Sequence, residues 1–266
     1  MRTNPYPQIN RFRNVSEFKA RLQRLEIELP LDERILSAAE GSPLARPLEI
    51  FGKTAGNRWC IHPMEGWDGT AEGKPTAHTR HRWCGFGRSG AKLIYGCEAV
   101  AVRHDGRANP RQLLLRPEHA GDFAELLESL RNTHIRCFGD DRDLLVGLQL
   151  THSGRFSRPD ADGKQKPRIV YHHPLLDRRV GIDPSDDAPV LTDEQIEELI
   201  PRYIQAAATA REIGFDFVDI KHCHGYLGHE FLSARTRGGR FGGSLENRTR
   251  FLRDIVAGIR REVPGL

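Results

Sequence analysis

The chain has 266 residues, of which 38% are hydrophobic and 29% are charged, a composition that excludes a disordered or low-complexity protein. The formal net charge of +4 is scattered along the sequence, so no nucleic-acid partner is expected. No apolar run approaches the roughly 20 residues of a membrane-spanning helix, and the first residues lack the apolar segment of a secretory signal. We therefore expect no membrane partner.

The cysteines indicate the compartment. There are five of them, an odd number, and no two have the spacing Cys-x-x-Cys. This pattern favours free thiols over a disulfide framework. Free thiols are typical of a reducing compartment, so we expect a cytoplasmic protein.

Along the chain, short apolar runs alternate with longer amphipathic ones. Residues 1–50 are predicted to form an N-terminal segment with a helix over 15–29, and residues 51–266 are predicted to form the main domain. Four runs have the composition of buried strands: Trp59–Ile61, Leu93–Ala101, Leu144–Leu150 and Phe217–Ile220. Because helix-length segments separate these runs, the pattern predicts βαβ units and a parallel sheet.

Capping signals set the bounds of one long helix. Thr192 and Gln195 form a capping box at its predicted start. Gly214 is placed to end it in a left-handed conformation. Pro201 lies inside, which predicts a kink or a break near Ile200.

Two more helices and one insertion complete the pattern. A helix is predicted over Ala120–Arg131, and another is predicted to begin at Ser244. The last helix is expected to bury Leu245, Leu252, Ile255, Ile259 and Val263. Residues 156–190 are rich in Pro, Asp, Arg and Gly and lack a sustained period, so they are predicted to be a lid-like insertion beside the active site.

Three polar clusters lie where predicted strands end, which is where α/β folds place their ligands. They are the runs 62–66 (HPMEG), 149–155 (QLTHSGR) and 221–227 (KHCHGYL). A single Gln or His at a strand end is more often a structural residue. The occurrence of all three clusters in this order indicates a functional site.

These motifs resemble those of the Old Yellow Enzyme-like NADH:flavin oxidoreductases, a family that includes 2,4-dienoyl-CoA reductase-like members. The similarity covers about residues 57–263 and includes NRWCIHPMEG, LQLTHSGR, the HGYL motif and GGSLENR. The resemblance implies a TIM (β/α)8 barrel that holds FMN at the carboxyl ends of its strands. It also implies an enzyme that passes a hydride from NAD(P)H through the flavin to a small activated alkene, which could be an enone, an enoate or a dienoyl-type acceptor.

The resemblance also implies roles for residues near the flavin. Pro63 and Met64 would line it through backbone contacts, Ala99 would approach its ring, and Gln149 would hydrogen-bond its pyrimidine edge. Glu65 falls among these cofactor-binding positions, where many relatives carry Thr or Cys. A buried carboxylate there is costly unless it is hydrogen-bonded or protonated, and it could also point away.

Three residues of the last cluster are implied to be catalytic. His224 would hold the acceptor's oxygen, and Tyr226 would donate a proton to the neighbouring carbon, although Tyr226 could also be a packing residue at the barrel mouth. The family's other oxygen-holding histidine falls on Lys221. We hypothesise that Lys221 favours an anionic acceptor or stabilises reduced flavin, but it could equally pair with a nearby carboxylate.

The run His222, Cys223 and His224 does not predict a metal site, because adjacent side chains at a strand end diverge. No metal is expected.

The strand count raises a further expectation. Four strands can be placed, whereas the full barrel has eight, so the chain is predicted to contain only the first four β/α units. An iron–sulfur cluster, which some relatives carry, would lie beyond them. Open sheet edges predict self-association or a partner chain that supplies the other half. The alternative function is a non-catalytic half barrel, a remnant or assembly subunit without flavin.

Overall fold

The computed structural model describes residues 7–50 and 52–266. Residues 1–6, the start of the predicted N-terminal segment, and residue 51, the start of the predicted main domain, lie outside the described residues. The structure divides into two compact units, the first ending at Arg46 and the second covering Pro47–Leu266. Across the two described ranges, no helix is both long enough and apolar enough to cross a membrane.

The first unit contains one α-helix, α1 (Val15–Arg24). It begins at Asn14, whose side chain accepts a hydrogen bond from the backbone N–H of Glu17 over 2.9 Å. The helix is shorter than the predicted range 15–29. It ends early because Glu26 adopts a left-handed conformation (φ 54°), which cannot continue a right-handed helix.

The second unit is built on a parallel sheet. Its strands are β3 (Cys60–Ile61), β4 (Leu93–Ile94), β5 (Ala99–Ala101), β6 (Leu145–Thr151) and β7 (Phe217–Ile220). β3 pairs with β4, β4 and β5 pair with successive parts of β6, and β7 pairs with β6, all in parallel. The predicted strand 93–101 is therefore present as two pieces. Strands that follow one another in the chain are neighbours in the sheet, the arrangement of consecutive units of a β/α barrel.

A short antiparallel hairpin, not predicted from the sequence, precedes this sheet. It consists of β1 (Leu48–Ile50) and β2 (Lys53–Ala55). The Lys53 ammonium lies 3.1 Å from Asp216, the residue before β7. The hairpin therefore lies at the amino ends of the strands, the end of the sheet opposite the predicted site.

Six helices accompany the sheet: α2 (Ala77–Arg88), α3 (Ala120–Phe138), α4 (Pro174–Val180), α5 (Asp193–Ile213), α6 (Leu227–Ser233) and α7 (Leu245–Glu262). Val146, Leu148 and Leu150 of β6 belong to the buried apolar core, which α2, α3, α5 and α7 complete. Side chains alternate along a strand, so Gln149 points to the other face. We call this face, which also carries the contacting rings of Tyr95 and Phe217, the inner face.

The capping signals of α5 are confirmed. The Thr192 side chain accepts the N–H of Gln195, and Gly214 ends the helix with φ 106°. Of the kink or break predicted near Ile200, the break is wrong, because the helix runs on through Pro201. The proline removes one backbone donor, and buried residues on both sides of it, Ile196 to Ala210, hold the helix against the core.

The other helix predictions are confirmed in part. α3 runs to Phe138, seven residues beyond the predicted end at Arg131. α7 begins at Leu245 after its cap Ser244, and Ile255, Ile259 and Val263 are buried. Leu245 was expected in the core but is 64% exposed, because a side chain in the first turn of a helix points back past its amino end.

The insertion 156–190 contains one helix, α4, that the sequence did not indicate. Ile169, in the middle of the insertion, and Val190, its last residue, form a parallel β-bridge. The fully buried Arg155 donates to Glu230 of α6 over 2.5 Å and pairs with Asp177 of α4. The role of the insertion 156–190 as a lid stays a prediction.

The close packing of α2 against α3 can be tested at one glycine. A Cβ atom at Gly87 would lie 2.4 Å from the carbonyl oxygen of Leu130. We expect Gly87→Ala to lower the free energy of unfolding by about 1–3 kcal/mol, because the helices must move apart. Gly85 in the same helix has no atom within 4 Å of its Cβ position, so Gly85→Ala should raise it by up to about 1 kcal/mol. Urea denaturation measures both, and equal effects would contradict the packing.

Candidate functional site

The loop that follows β3 is held by a buried ion network. The fully buried Glu98 accepts the backbone N–H of Gly66 through Oε1 and the Arg82 guanidinium through Oε2, both over 2.6 Å. Arg82 also makes two hydrogen bonds of 3.0 Å to Asp68. Burial raises the pKa of Glu98 to about 7, against the opposing effect of Arg82. This network fixes the backbone beside Glu65. Two of its members, Arg82 and Asp68, were not predicted from the sequence.

Four of the predicted cofactor-binding residues lie close together at the strand ends. The N–H of Ala99 donates to the carbonyl of Met64 over 3.1 Å. A Cβ atom placed at Gly96 would lie 2.7 Å from Cβ of Pro63 and 3.4 Å from Cβ of Gln149. The ends of β3, β5 and β6 therefore meet, as the parallel sheet predicted.

Gln149 is buried and its side chain is partly engaged. Its amide nitrogen donates to Asp219 Oδ2 over 2.5 Å, and Asp219 is its register partner on β7. Met64, in contrast, exposes 68% of its surface. The group thus combines one buried amide with an exposed apolar side chain.

Glu65 joins two of the predicted catalytic residues. Its Oε1 accepts a hydrogen bond from the Lys221 ammonium over 2.8 Å, and its Oε2 accepts one from the Tyr226 hydroxyl over 2.9 Å. The indole N–H of Trp67 also donates to Oε2, over 3.3 Å. Both carboxylate oxygens are therefore partnered, which meets the condition for burying a charge.

Lys221 and Tyr226 also contact each other directly. The ammonium lies 4.1 Å from the centroid of the phenol ring, a cation–π contact. The side chains of Glu65 and Lys221 are only 7% and 6% exposed. Of the alternatives that the sequence left open, Glu65 is hydrogen-bonded and Lys221 is paired with a carboxylate.

Burial and the Glu65 carboxylate change the acidity of Tyr226. Removal from water disfavours the phenolate, and the adjacent negative charge and its hydrogen bond disfavour it further. The pKa of Tyr226 is therefore raised well above its ordinary value. At neutral pH this hydroxyl is protonated and is a hydrogen-bond donor.

His224 lies at the edge of this group. It adopts a left-handed conformation (φ 59°), is exposed, and lines a cleft of about 400 Å³ together with Tyr226, Trp67 and Phe156. Arg158 and Gln165 of the insertion 156–190 also line the cleft. The structure therefore brings His224 and Tyr226 to one opening, which the insertion borders.

His222 points elsewhere. Its Nδ1 lies 3.2 Å from the carbonyl of Ile220, and burial lowers its pKa. Over residues 7–50 and 52–266, no three His, Cys, Asp or Glu side chains are arranged to hold a metal ion. All five cysteines are free.

The fold is that of an Old Yellow Enzyme-type TIM barrel, of which this chain contains part. Residues 43–265 match the model of the NADH:flavin oxidoreductase / NADH oxidase family. The chain belongs to this family.

Curated relatives agree with this assignment. The NADPH dehydrogenase of Bacillus subtilis (strain 168) is 32% identical over 227 residues, which cover 82% of this chain and 60% of that protein. An NADH:flavin oxidoreductase of Gibberella zeae is 30% identical over 231 residues, covering 82% and 53%. The chain thus spans little more than half the length of these relatives.

Solved structures show the same fold. Old Yellow Enzyme from Pichia sp. AKU4542 superposes with a TM-score of 0.67 at 20% identity, over 84% of this chain and 57% of that one. A 2-naphthoyl-CoA reductase complex gives a TM-score of 0.68 at 20% identity, over 84% and 34%. The match supports a partial barrel.

The pairing of Glu65 with Lys221 predicts a large loss of stability when only one partner is removed. We expect Lys221→Met to lower the free energy of unfolding by about 3–5 kcal/mol, because it leaves a buried carboxylate without its cation. The double variant Glu65→Leu/Lys221→Met should recover most of that loss. Urea denaturation at neutral pH measures each variant.

The matched control is Lys166→Met. Lys166 pairs with Asp160, and its side chain is 49% exposed, so the loss should be at most about 1 kcal/mol. A Lys221→Met variant no less stable than this control would contradict the buried pair.

Proposed function

We propose that this chain is part of an FMN-dependent oxidoreductase that takes a hydride from NAD(P)H and delivers it to a small electron-poor alkene. The family supports flavin chemistry, and the observation that carries the alkene reaction is the position of Tyr226. Its hydroxyl is protonated, is held by Glu65, and lies beside a cleft that a small acceptor could enter. An enone, an enoate or a dienoyl group is an acceptor of this kind.

The residues present fit a planar flavin at the strand ends. Gly96 places no side chain against Pro63 and Gln149, which its Cβ atom would otherwise contact, and Met64 is exposed. The carbonyl oxygen of the Gln149 side chain has no hydrogen-bond partner among the described residues, so it is free to accept one from a ligand. Pro63, Met64, Ala99 and Gln149 would hold the ring. FMN, when bound, supplies the two-electron transfer between NAD(P)H and the acceptor.

Tyr226 supplies the proton in this proposal. Addition of the hydride to one alkene carbon leaves negative charge on the other, next to an electron-withdrawing group, and the phenol protonates that carbon. The single proton of the phenol is directed at Glu65 in the free chain, so the hydroxyl turns from Glu65 to the acceptor carbon for this step, and the phenolate that remains takes a proton from water. Lys221 holds the ring through its cation–π contact. His224, at the cleft, donates a hydrogen bond to the acceptor's oxygen as negative charge develops there.

The pairing of Lys221 limits its other suggested roles. Its positive charge is offset by Glu65 at 2.8 Å, so it attracts an anionic acceptor less than a free lysine would. We therefore propose that Lys221 acts mainly by orienting Tyr226 and Glu65. The Lys221–Glu65 pair then adds no net charge to the acceptor side of the site, where Arg158 lines the cleft.

The function is tested with the FMN-loaded chain. We expect yellow protein that bleaches with NADH or NADPH without oxygen and is reoxidised by 2-cyclohexenone. Tyr226→Phe should leave the bleaching rate unchanged and slow reoxidation by about 10²–10⁴-fold, because only protonation of the acceptor is lost. Stopped-flow absorbance separates the two half-reactions. Tyr171→Phe, which removes a phenol in the insertion, is the matched control.

Two outcomes would contradict this proposal. Protein that takes up no FMN would support the non-catalytic half barrel instead. If the chain binds FMN and 2-cyclohexenone reoxidises the Tyr226→Phe variant as fast as the unchanged chain, Tyr226 has no part in the reaction.

The sheet edges predict association. Among the described residues, β3 and β7 each pair with one strand only, and the inner face carries Tyr95 and Phe217. Unpaired edges attract other strands. We propose that the 266-residue chain alone self-associates or binds a partner that completes the sheet. Sedimentation velocity should show species that grow with concentration, whereas a monodisperse monomer that melts cooperatively would contradict this.

A further inference from the structure

A second cleft, separate from the strand-end clusters, lies between α5 and the segment that follows β5. Its volume is about 540 Å³. Val102, Leu115 and Ala206 line it, and all three are buried members of the apolar core. The cleft therefore has an apolar floor that a flat organic group could cover.

Three arginines line the same cleft. Arg103 is held by two short hydrogen bonds to Asp105, of 2.5 and 2.6 Å. The guanidinium groups of Arg116 and Arg202 have no hydrogen-bond or ion-pair partner within residues 7–50 and 52–266. Glu118 is the one carboxylate in the lining, and it makes no ion pair with any residue that the structure describes. Two unpaired guanidinium groups at one opening favour an anion.

A threonine hydroxyl gives a second indication. Thr209 lines the cleft and is only 4% exposed. Its side chain makes no hydrogen bond to any residue that the structure describes, although other helix threonines, such as Thr133, bond the carbonyl four residues earlier. The hydroxyl therefore has open hydrogen-bonding capacity that a ligand or water in the cleft can use.

We propose that this cleft binds an organic phosphate monoester. Arg116 and Arg202 would hold the phosphate oxygens through charge-assisted hydrogen bonds, and Thr209 would donate to the ligand. Val102, Leu115 and Ala206 would contact its organic part. None of these residues belongs to the strand-end site, so the proposal does not depend on the proposed oxidoreductase function.

The test uses phenyl phosphate and inorganic phosphate as probes. ³¹P NMR titrations of the full 266-residue chain are made at constant ionic strength. We expect saturable binding of phenyl phosphate, tighter than that of inorganic phosphate. The double variant Arg116→Ala/Arg202→Ala should raise the dissociation constant at least about tenfold. Thr209→Val, which keeps the shape, should raise it about 2- to 10-fold.

The matched control is Arg88→Ala/Arg253→Ala. It removes the same charge from two exposed arginines on α2 and α7 and should leave binding unchanged. Equal loss in the control and the test variant, or no saturable binding, would overturn the site. Equal affinity for the two probes would overturn the organic part of the proposal and assign the cleft to inorganic phosphate. Thermal melts confirm that each variant is folded.

Discussion

The buried carboxylate of Glu65 is the interaction on which the candidate site depends. It comes from the loop after β3, and its partners Lys221 and Tyr226 follow β7, 156 and 161 residues further along the chain. Each of its oxygens accepts at least one hydrogen bond. Because an unpaired charge cannot stay buried at low cost, Glu65 and Lys221 each hold the other in place. This pair links the carboxyl ends of β3 and β7 across the inner face.

A second buried carboxylate, that of Glu98, fixes the position of the loop that carries Glu65. Glu98 binds the backbone N–H of Gly66, the residue next to Glu65, and is itself held by Arg82 of α2. The helix, the loop and the strand end therefore form one connected network. The Tyr226 hydroxyl is therefore held in one position by Glu65.

Much of the fold followed from local patterns. Strands such as β7 and the caps at Thr192, Gly214 and Ser244 depend on neighbours in the sequence, which single-sequence reasoning can see. The hairpin β1–β2, the helix α4 and the unbroken course of α5 through Pro201 depend on tertiary packing. The same holds for Leu245, whose exposure depends on where the helix end lies relative to the core.

The site was predictable as a set of residues but not as a set of contacts. The clusters around Met64, Gln149 and Tyr226 lie at strand ends, and the parallel sheet brings those ends together. The choice between a free and a paired Lys221 depends on the register of strands far apart in the chain and on the loop that Glu98 holds. No local signal in the sequence contains that register.

The most direct measurement of the central claim is the ionisation of Tyr226, followed by NMR of the chain labelled with ¹³C at the tyrosine ring. The Tyr226→Phe variant assigns the signal. We expect Tyr226 to stay protonated at pH values where a free tyrosine, which titrates near pH 10, has lost its proton, and we expect Glu65→Gln, which keeps an acceptor but removes the charge, to lower the pKa of Tyr226. A Tyr226 signal that titrates like free tyrosine, or that Glu65→Gln leaves unchanged, would contradict this account.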